Sequence, residues 1–229
     1  MKEKDFSEFE KIIGAKFNDI NTLRQALTHR SFLNEHKNLK GKHNERLEFL
    51  GDAVLELVIT HYLYDMYPDK NEGDLTSIRS ALVNAQTCAE VAKKIDVNDF
   101  LLLSKGETKD VGRARQYILA NALEAIIGAI YLDGGYDKAE KFVTKFIMPK
   151  LEEVIEKGLY KDAKSELQEK TQAKLKITPI YRVLSEEGPD HKKMFNVGVY
   201  LADKMVANGQ GLSKQDAEVD AAKKALQEL

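Results

Sequence analysis

The sequence predicts two domains of different class: an all-α domain over residues 1–157, then a small α+β domain over 161–229 in the order α-β-β-β-α. Three observations carry this expectation. Apolar side chains recur at three- and four-residue spacing through the first two thirds of the chain. After Gly158 the rhythm changes to strand alternation, clearest at Phe195, Val197, Val199 and Leu201. Gly158 and its neighbours lie between the two patterns as a linker.

Each element has its own signal. Phe6, Phe9, Ile12 and Ile13 predict a first helix; Leu23, Ala26, Leu27 and Phe32 predict a second. A long third helix over about 44–67 rests on Leu47, Leu50, Val54, Leu57 and Val58, and Pro68 stops it. A fourth covers about 75–94, with Ile78, Leu82 and Val91 inward. A fifth covers about 118–132 and ends at Gly134-Gly135; a sixth, over 137–157, is bent at Pro149. The polar stretch 104–115, with two glycines, reads as a loop. In the second domain a helix over 163–175 turns Leu167 and Leu175 inward. Ile180, Arg182 and Leu184 lead into a turn at Glu187-Gly188-Pro189-Asp190. A second strand ends at the turn Ala202-Asp203, and Val206, Gly209 and Gly211 mark a weaker third. Ser213 with Asp216 three residues on reads as a capping box. The last helix carries Ala217, Ala221, Ala222, Ala225 and Leu226. A three-stranded antiparallel sheet with both helices on one face would bury these sets.

Cys88 is the single cysteine, so no intrachain disulfide forms and a reducing cytoplasm is the expected setting. The N-terminus shows no signal-peptide pattern. No run approaches the roughly 18 consecutive apolar residues of a membrane span, so no membrane partner is expected. The net charge of -2 does not advertise a nucleic-acid binder. Residues 161–229 hold 12 Lys and Arg against 11 Asp and Glu; residues 1–160 hold 23 against 26. Any binding of nucleic acid must therefore use clustered lysines rather than bulk charge.

The chemistry concentrates in two segments. Helical spacing sets Glu45, Glu48 and Asp52 on one face at i, i+3 and i+7, and Glu56 extends the stripe. Glu124 stands alone in the apolar, small-residue run 118–129. A carboxylate there is costly unless it is paired or bound to a metal. If the third and fifth helices pack together, Glu48, Asp52, Asn121 and Glu124 could converge, and Gly128 would let the helices approach. Oxygen-only donors suit Mg²⁺, with Mn²⁺ able to substitute. The five histidines are scattered and make no helical metal pair. Spacing alone leaves open a solvated acidic face, and a Glu124 paired with Arg113 or Arg115.

The run Asn44-Glu45-Arg46-Leu47-Glu48-Phe49-Leu50-Gly51-Asp52-Ala53-Val54-Leu55 resembles the signature of the ribonuclease III family. Glu72-Gly73-Asp74-Leu75, the 79–84 stretch, Gly106-Glu107, Ala120 to Ala125, Gly128 and Tyr131-Leu132 follow in family order. The C-terminal part resembles a double-stranded-RNA-binding domain at Leu167-Gln168-Glu169, at Gly188-Pro189-Asp190-His191, and in the 214–226 helix. The resemblance implies a homodimeric, metal-dependent endonuclease that cuts duplex RNA to 5′-phosphates with short 3′ overhangs, in rRNA and mRNA maturation, with no small-molecule cofactor. It implies metal ligation by Glu48, Asp52, Asn121 and Glu124, with Asp52 and Glu124 catalytic. Glu45 and Glu72 match supporting or substrate-side positions. Phe49 matches a residue that packs into the partner subunit, although its spacing equally allows an ordinary core phenylalanine.

Duplex RNA is read mainly by shape, across two minor grooves and the phosphates between them. In this chain Gln168 and Gln172, one helical turn apart, Pro189 and His191 in the 188–191 loop, and Lys214, Lys223 and Lys224 on the last helix could do this work. A solvated lysine face is the plainer alternative. The sequence departs from the family twice. Asn121 stands where the family has aspartate, which keeps a ligating oxygen but loses a charge. The final helix opens Ser213-Lys214-Gln215-Asp216 rather than with a run of lysines, so weaker binding with a shallower salt dependence is expected. A binding protein that no longer cuts, and a protein-contact scaffold without duplex affinity, remain the competing readings.

Overall fold

The computed structural model describes residues 4–39, 41–109, 111–160, 162–189 and 193–228. The chain divides into two compact units, Met1–Tyr160 and Lys161–Leu229.

The first unit is helical. Its centre is the pair α4 (Glu45–Met66) and α9 (Arg113–Gly134). These two form the most extensive contact between any two elements. Around α9 lie α2 (Ile20–Ala26), α6 (Ala85–Lys94) and α10 (Tyr136–Phe146). By length and composition α9 is long and apolar enough to cross a bilayer, although polar residues interrupt its apolar run. Here it occupies the position of a core helix, with Leu119, Leu123, Ile126 and Ile127 enclosed by its neighbours.

The core explains the apolar patterns, but three expected helices are broken. The expected second helix divides into α2 and α3 (Arg30–Glu35). Between them Leu27 accepts from Leu102 N–H and His29 N–H donates to Leu102 O, a short bridge that continued helix would forbid. The expected fourth helix divides into α5 (Glu72–Val83) and α6. Asn84 is extended there, and its side chain accepts from Thr87 N–H, so one residue ends the first helix and caps the next. The expected sixth divides into α10 and α11 (Lys150–Glu156), because Pro149 has no N–H to continue the ladder. The expected loop at 104–115 holds a one-turn helix, α8 (Lys105–Lys109), and α9 starts within it at Arg113. A further turn, α7 (Val97–Phe100), had no periodic signal.

The second unit runs α12 (Ala163–Leu175), β1 (Ile180–Glu187), β2 (Met194–Leu201), β3 (Lys204–Gly211) and α13 (Lys214–Glu228). The strands form an antiparallel sheet in the order β1-β2-β3. Ala163, Leu167, Val199, Ala221, Ala222 and Ala225 form its core. Leu175 is exposed, contrary to its expected inward role, because α12 ends there and Lys176 turns left-handed. Ser213 Oγ accepts from Asp216 N–H at 3.1 Å, so the expected cap forms. Gly209 lets α13 lie flat on β3; a Cβ there would collide with the backbone of Ala217 and Ala221.

Candidate active site and RNA-binding surface

The acidic site is built where α4 crosses α9. A Cβ on Gly51 would strike the carbonyl oxygen of Glu124, lie 2.6 Å from its carbonyl carbon and 2.8 Å from Gly128 N. A Cβ on Gly128 would strike Leu47 O and lie 3.0 Å from Gly51 N. Two glycines thus set the helix backbones in direct contact. That contact fixes Glu48 and Asp52 of α4 beside Asn121 and Glu124 of α9.

The electrostatics follow from this crossing. Burial, reinforced by the charges of Asp52 and Glu48, pushes the Glu124 carboxyl up to about 8. Burial also raises Glu48; Glu45 and Asp52 add to the rise, and a hydrogen bond from the Asn121 side chain opposes it. Among the described residues no basic side chain ion-pairs with Glu48, Asp52 or Glu124. The open alternative for Glu124 is therefore removed: Arg115 binds Asn98 Oδ1 at 2.9 Å, and Arg113 lies over the Tyr117 ring. Glu48 and Glu124 are half-buried and Asp52 is exposed beside them, and carboxylates left facing one another without a counter-cation are the arrangement a hard cation relieves.

Convergence is nevertheless incomplete. Among the described residues, no three His, Cys, Asp or Glu side chains gather closely enough to hold an ion. Glu48, Asn121 and Glu45 line a cleft of about 690 Å³ with His29, Arg30 and Glu107; Asp52 and Glu124 are not part of its wall. Arg30 Nη1 lies 3.5 Å from Glu45 Oε1 at the rim. Glu72 is not brought to the cleft; at the start of α5 it accepts from Thr76 Oγ1 at 3.2 Å. His29 and Arg30, the cap and first residue of α3, had no motif to mark them, and Glu107 of α8 was marked only by its place in the family order. Phe49 is 82% exposed on α4, which rules out the ordinary core role. Leu57 and Tyr64, at i+8 and i+15 from it, are also exposed.

In the second unit Gln168 and Gln172 are exposed on α12, one turn apart. Gln172 Oε1 accepts from Thr178 Oγ1 at 3.4 Å. Pro189 is exposed at the β1–β2 turn, and His191 lies outside the described residues. Lys214, Lys223 and Lys224 are exposed on α13. Lys224 Nζ is 2.8 Å from Asp220 Oδ2, and Lys214 Nζ is 3.2 Å from Glu186 Oε1.

Comparison with known proteins agrees with both units. Residues 19–151 match the Ribonuclease-III-like family and 163–229 the double-stranded RNA binding motif. A protein named Ribonuclease 3 from Carboxydothermus hydrogenoformans is 48% identical over 229 residues, covering 100% of this chain and 97% of its own length. Ribonuclease 3 from Borreliella afzelii is 43% identical over 228 residues, covering 100% and 93%. Among solved structures, the nuclease domain of ribonuclease III from Campylobacter jejuni is similar with a TM-score of 0.58 and 41% identity, covering 63% of this chain and 97% of that one. Its description concerns flexibility in a region involved in dimer formation. Fold and matches together define a helical nuclease joined to a module for double-stranded RNA. The chain belongs to the ribonuclease III family, the double-strand-specific endoribonucleases.

Proposed function

We propose that this chain cuts duplex RNA as a divalent-metal-dependent homodimer, with Mg²⁺ as the resident ion and Mn²⁺ able to replace it. The observation that carries this reading is Glu124: a half-buried carboxyl beside two others, with no counter-cation among the described residues, its proton held to about pH 8. Glu48, Asp52, Asn121 and Glu124 would hold the ion, which when bound supplies Lewis acidity at phosphate oxygens and acidifies water. The oxygen-only donor set fits such an ion. Asp52 and Glu124 then act on the reacting atoms. Asn121 orients Glu48 by hydrogen bonding. Arg30 offers the cleft rim a cation for the RNA backbone, restrained by Glu45, and Glu72 is a supporting residue further along α5. Products with 5′-phosphates and short 3′ overhangs, a part in rRNA and mRNA maturation and a cytoplasmic setting belong to the same reading. Gln168, Gln172, Pro189, His191, Lys214, Lys223 and Lys224 would contact the duplex.

Long duplex RNA incubated with the purified chain should be cut in Mg²⁺ and left intact in EDTA. Binding without cutting in both would favour the second reading, a weakened enzyme in which Asn121 gives the metal site too little charge. Asn121→Asp restores that charge, and ion affinity follows ligand charge. The Mg²⁺ concentration for half-maximal cleavage should fall roughly three- to tenfold; an unchanged titration would remove Asn121 from the site.

The exposed apolar side chains Phe49, Leu57 and Tyr64 along α4 support the homodimer, since exposed large apolar side chains grouped on one element mark an interaction surface. Phe49→Lys should shift sedimentation from dimer to monomer while leaving the helical circular-dichroism signal intact. A wild-type chain that sediments as a monomer, or a dimeric variant, defeats this assignment.

A further inference from the structure

The first turn of α13 is poor in cations: Gln215, Asp216 and Glu218 surround Lys214. The sheet supplies another. β1 and β2 pair so that Glu186 lies opposite Phe195, and Phe195 in turn lies opposite Gly211 of β3. Lys193 precedes Phe195 by two residues, and Lys214 follows Gly211 by three. These positions bring two ammonium groups to one carboxylate. Glu186 Oε1 is 3.2 Å from Lys214 Nζ, and Oε2 is 3.4 Å from Lys193 Nζ. Lys214 Nζ also sits 5.6 Å from the Phe195 ring centre, which restrains it further.

A carboxylate with one ammonium on each oxygen has the arrangement of a phosphodiester whose two non-bridging oxygens are each met by a lysine. We propose that Glu186 occupies the place of an RNA phosphate between Lys193 and Lys214, so that duplex RNA displaces a resident carboxylate to reach a two-lysine phosphate site. The inference rests on the C-terminal unit being the duplex-binding module. It adds Lys193 to the contact surface and makes Glu186 a positioning residue that sets affinity by competition. Lys214 and Lys193 hold the Glu186 carboxyl below its usual range, so it competes as a full anion at neutral pH. Asp220 differs. It pairs with Lys224 but also accepts from Gln210 N–H at 2.9 Å, which ties it to the sheet. Among the described residues Glu186 pairs only with the two lysines.

The test is duplex-RNA affinity of the full chain, in EDTA to prevent cutting, as a function of monovalent salt. Glu186→Gln should bind roughly three- to tenfold tighter at moderate salt, with a log–log salt slope steeper by about one, the signature of one added phosphate contact. Lys193→Ala and Lys214→Ala should each weaken binding, and Glu186→Gln should gain nothing in a Lys193→Ala, Lys214→Ala background. Glu187→Gln, one residue along the strand, removes the same charge without touching the lysines and should gain less than twofold. An equal gain for Glu187→Gln reduces the effect to net charge and overturns the proposal, as does unchanged or weaker binding by Glu186→Gln. If the wild type shows no salt-sensitive duplex binding, the binding-module reading itself fails; if it binds and Glu186→Gln does not differ, only this inference fails.

Discussion

Glu124→Gln should abolish cleavage and, in the metal-free protein, raise the melting temperature. Both effects have one cause. The Glu124 carboxyl titrates near 8 rather than near 4.5 because burial and then the charges of Asp52 and Glu48 penalise its ionised form. A group whose folded value lies above its unfolded value adds stability that is complete below about 4.5 and is lost as pH rises through about 8. Wild-type protein should therefore lose stability across that window, on the order of 2–3 kcal/mol after discounting for partial solvent access. Glutamine has no proton to lose. The two proteins should melt together at pH 5 and separate by roughly 4–12 °C at pH 9. Divalent cation should reverse the order, because only the carboxylate binds it tightly. Cleavage in Mg²⁺ should fall about a thousandfold or more, the scale of losing several kcal/mol of transition-state stabilisation. Scanning calorimetry in EDTA at the two pH values and a cleavage time course are sufficient. Identical melting at pH 9 would mean Glu124 carries no buried charge; retained cleavage would place the chemistry elsewhere.

The sequence made α4, α9 and the α-β-β-β-α order legible because each rests on many residues repeating one period. What it concealed depends on single residues or on partners distant in the chain. Asn84 and His29 break helices within patterns that continue across them. Their role is set by a backbone turn, which periodicity does not register. Phe49 belongs to the apolar set of α4 by composition, and only the crossing with α9 decides that it faces outward. The acidic residues were legible as types, and their pairing across α4 and α9 was a conditional expectation that the glycine crossing supports. Glu48 and Asp52 lie near enough to Glu124 to raise its carboxyl, but among the described residues the three do not gather closely enough to hold an ion by themselves, a distance that helical spacing does not report. The Glu186 contact was hidden for another reason. An irregularity between Val183 and Ser185 shifts the β1–β2 register by one residue, which sets Glu186 opposite Phe195 rather than Met194. A single inserted residue of this kind leaves no trace in an alternating pattern.

Gly51→Ala should cost more stability than any conservative change elsewhere in α4. Helix propensity predicts the opposite sign, since alanine is favoured over glycine by about 1 kcal/mol in a helix interior. The crossing decides the outcome. The new methyl would occupy the space of the Glu124 carbonyl oxygen and press on Gly128 N at 2.8 Å. These are backbone atoms in a buried helix, so no rotamer change relieves them and α4 must move away from α9. Overpacking of this kind costs roughly 3 kcal/mol or more when backbone has to shift, enough to lower the melting temperature by about 6–12 °C. Displacement of about 1 Å also separates Glu48 and Asp52 from Asn121 and Glu124, and misplacement on that scale costs about a hundredfold in rate. Gly106→Ala is the matched control: it also lies in a helix, α8, and its Cβ would meet only Ser104 Oγ at 3.8 Å. It should melt at or slightly above the wild-type temperature. The comparison isolates the crossing from propensity, because both substitutions make the same chemical change. If Gly51→Ala melts like Gly106→Ala and still cuts duplex RNA at the wild-type rate, then helix contact at Gly51 does not hold the acidic residues in register, and the account of the site built on that contact is wrong.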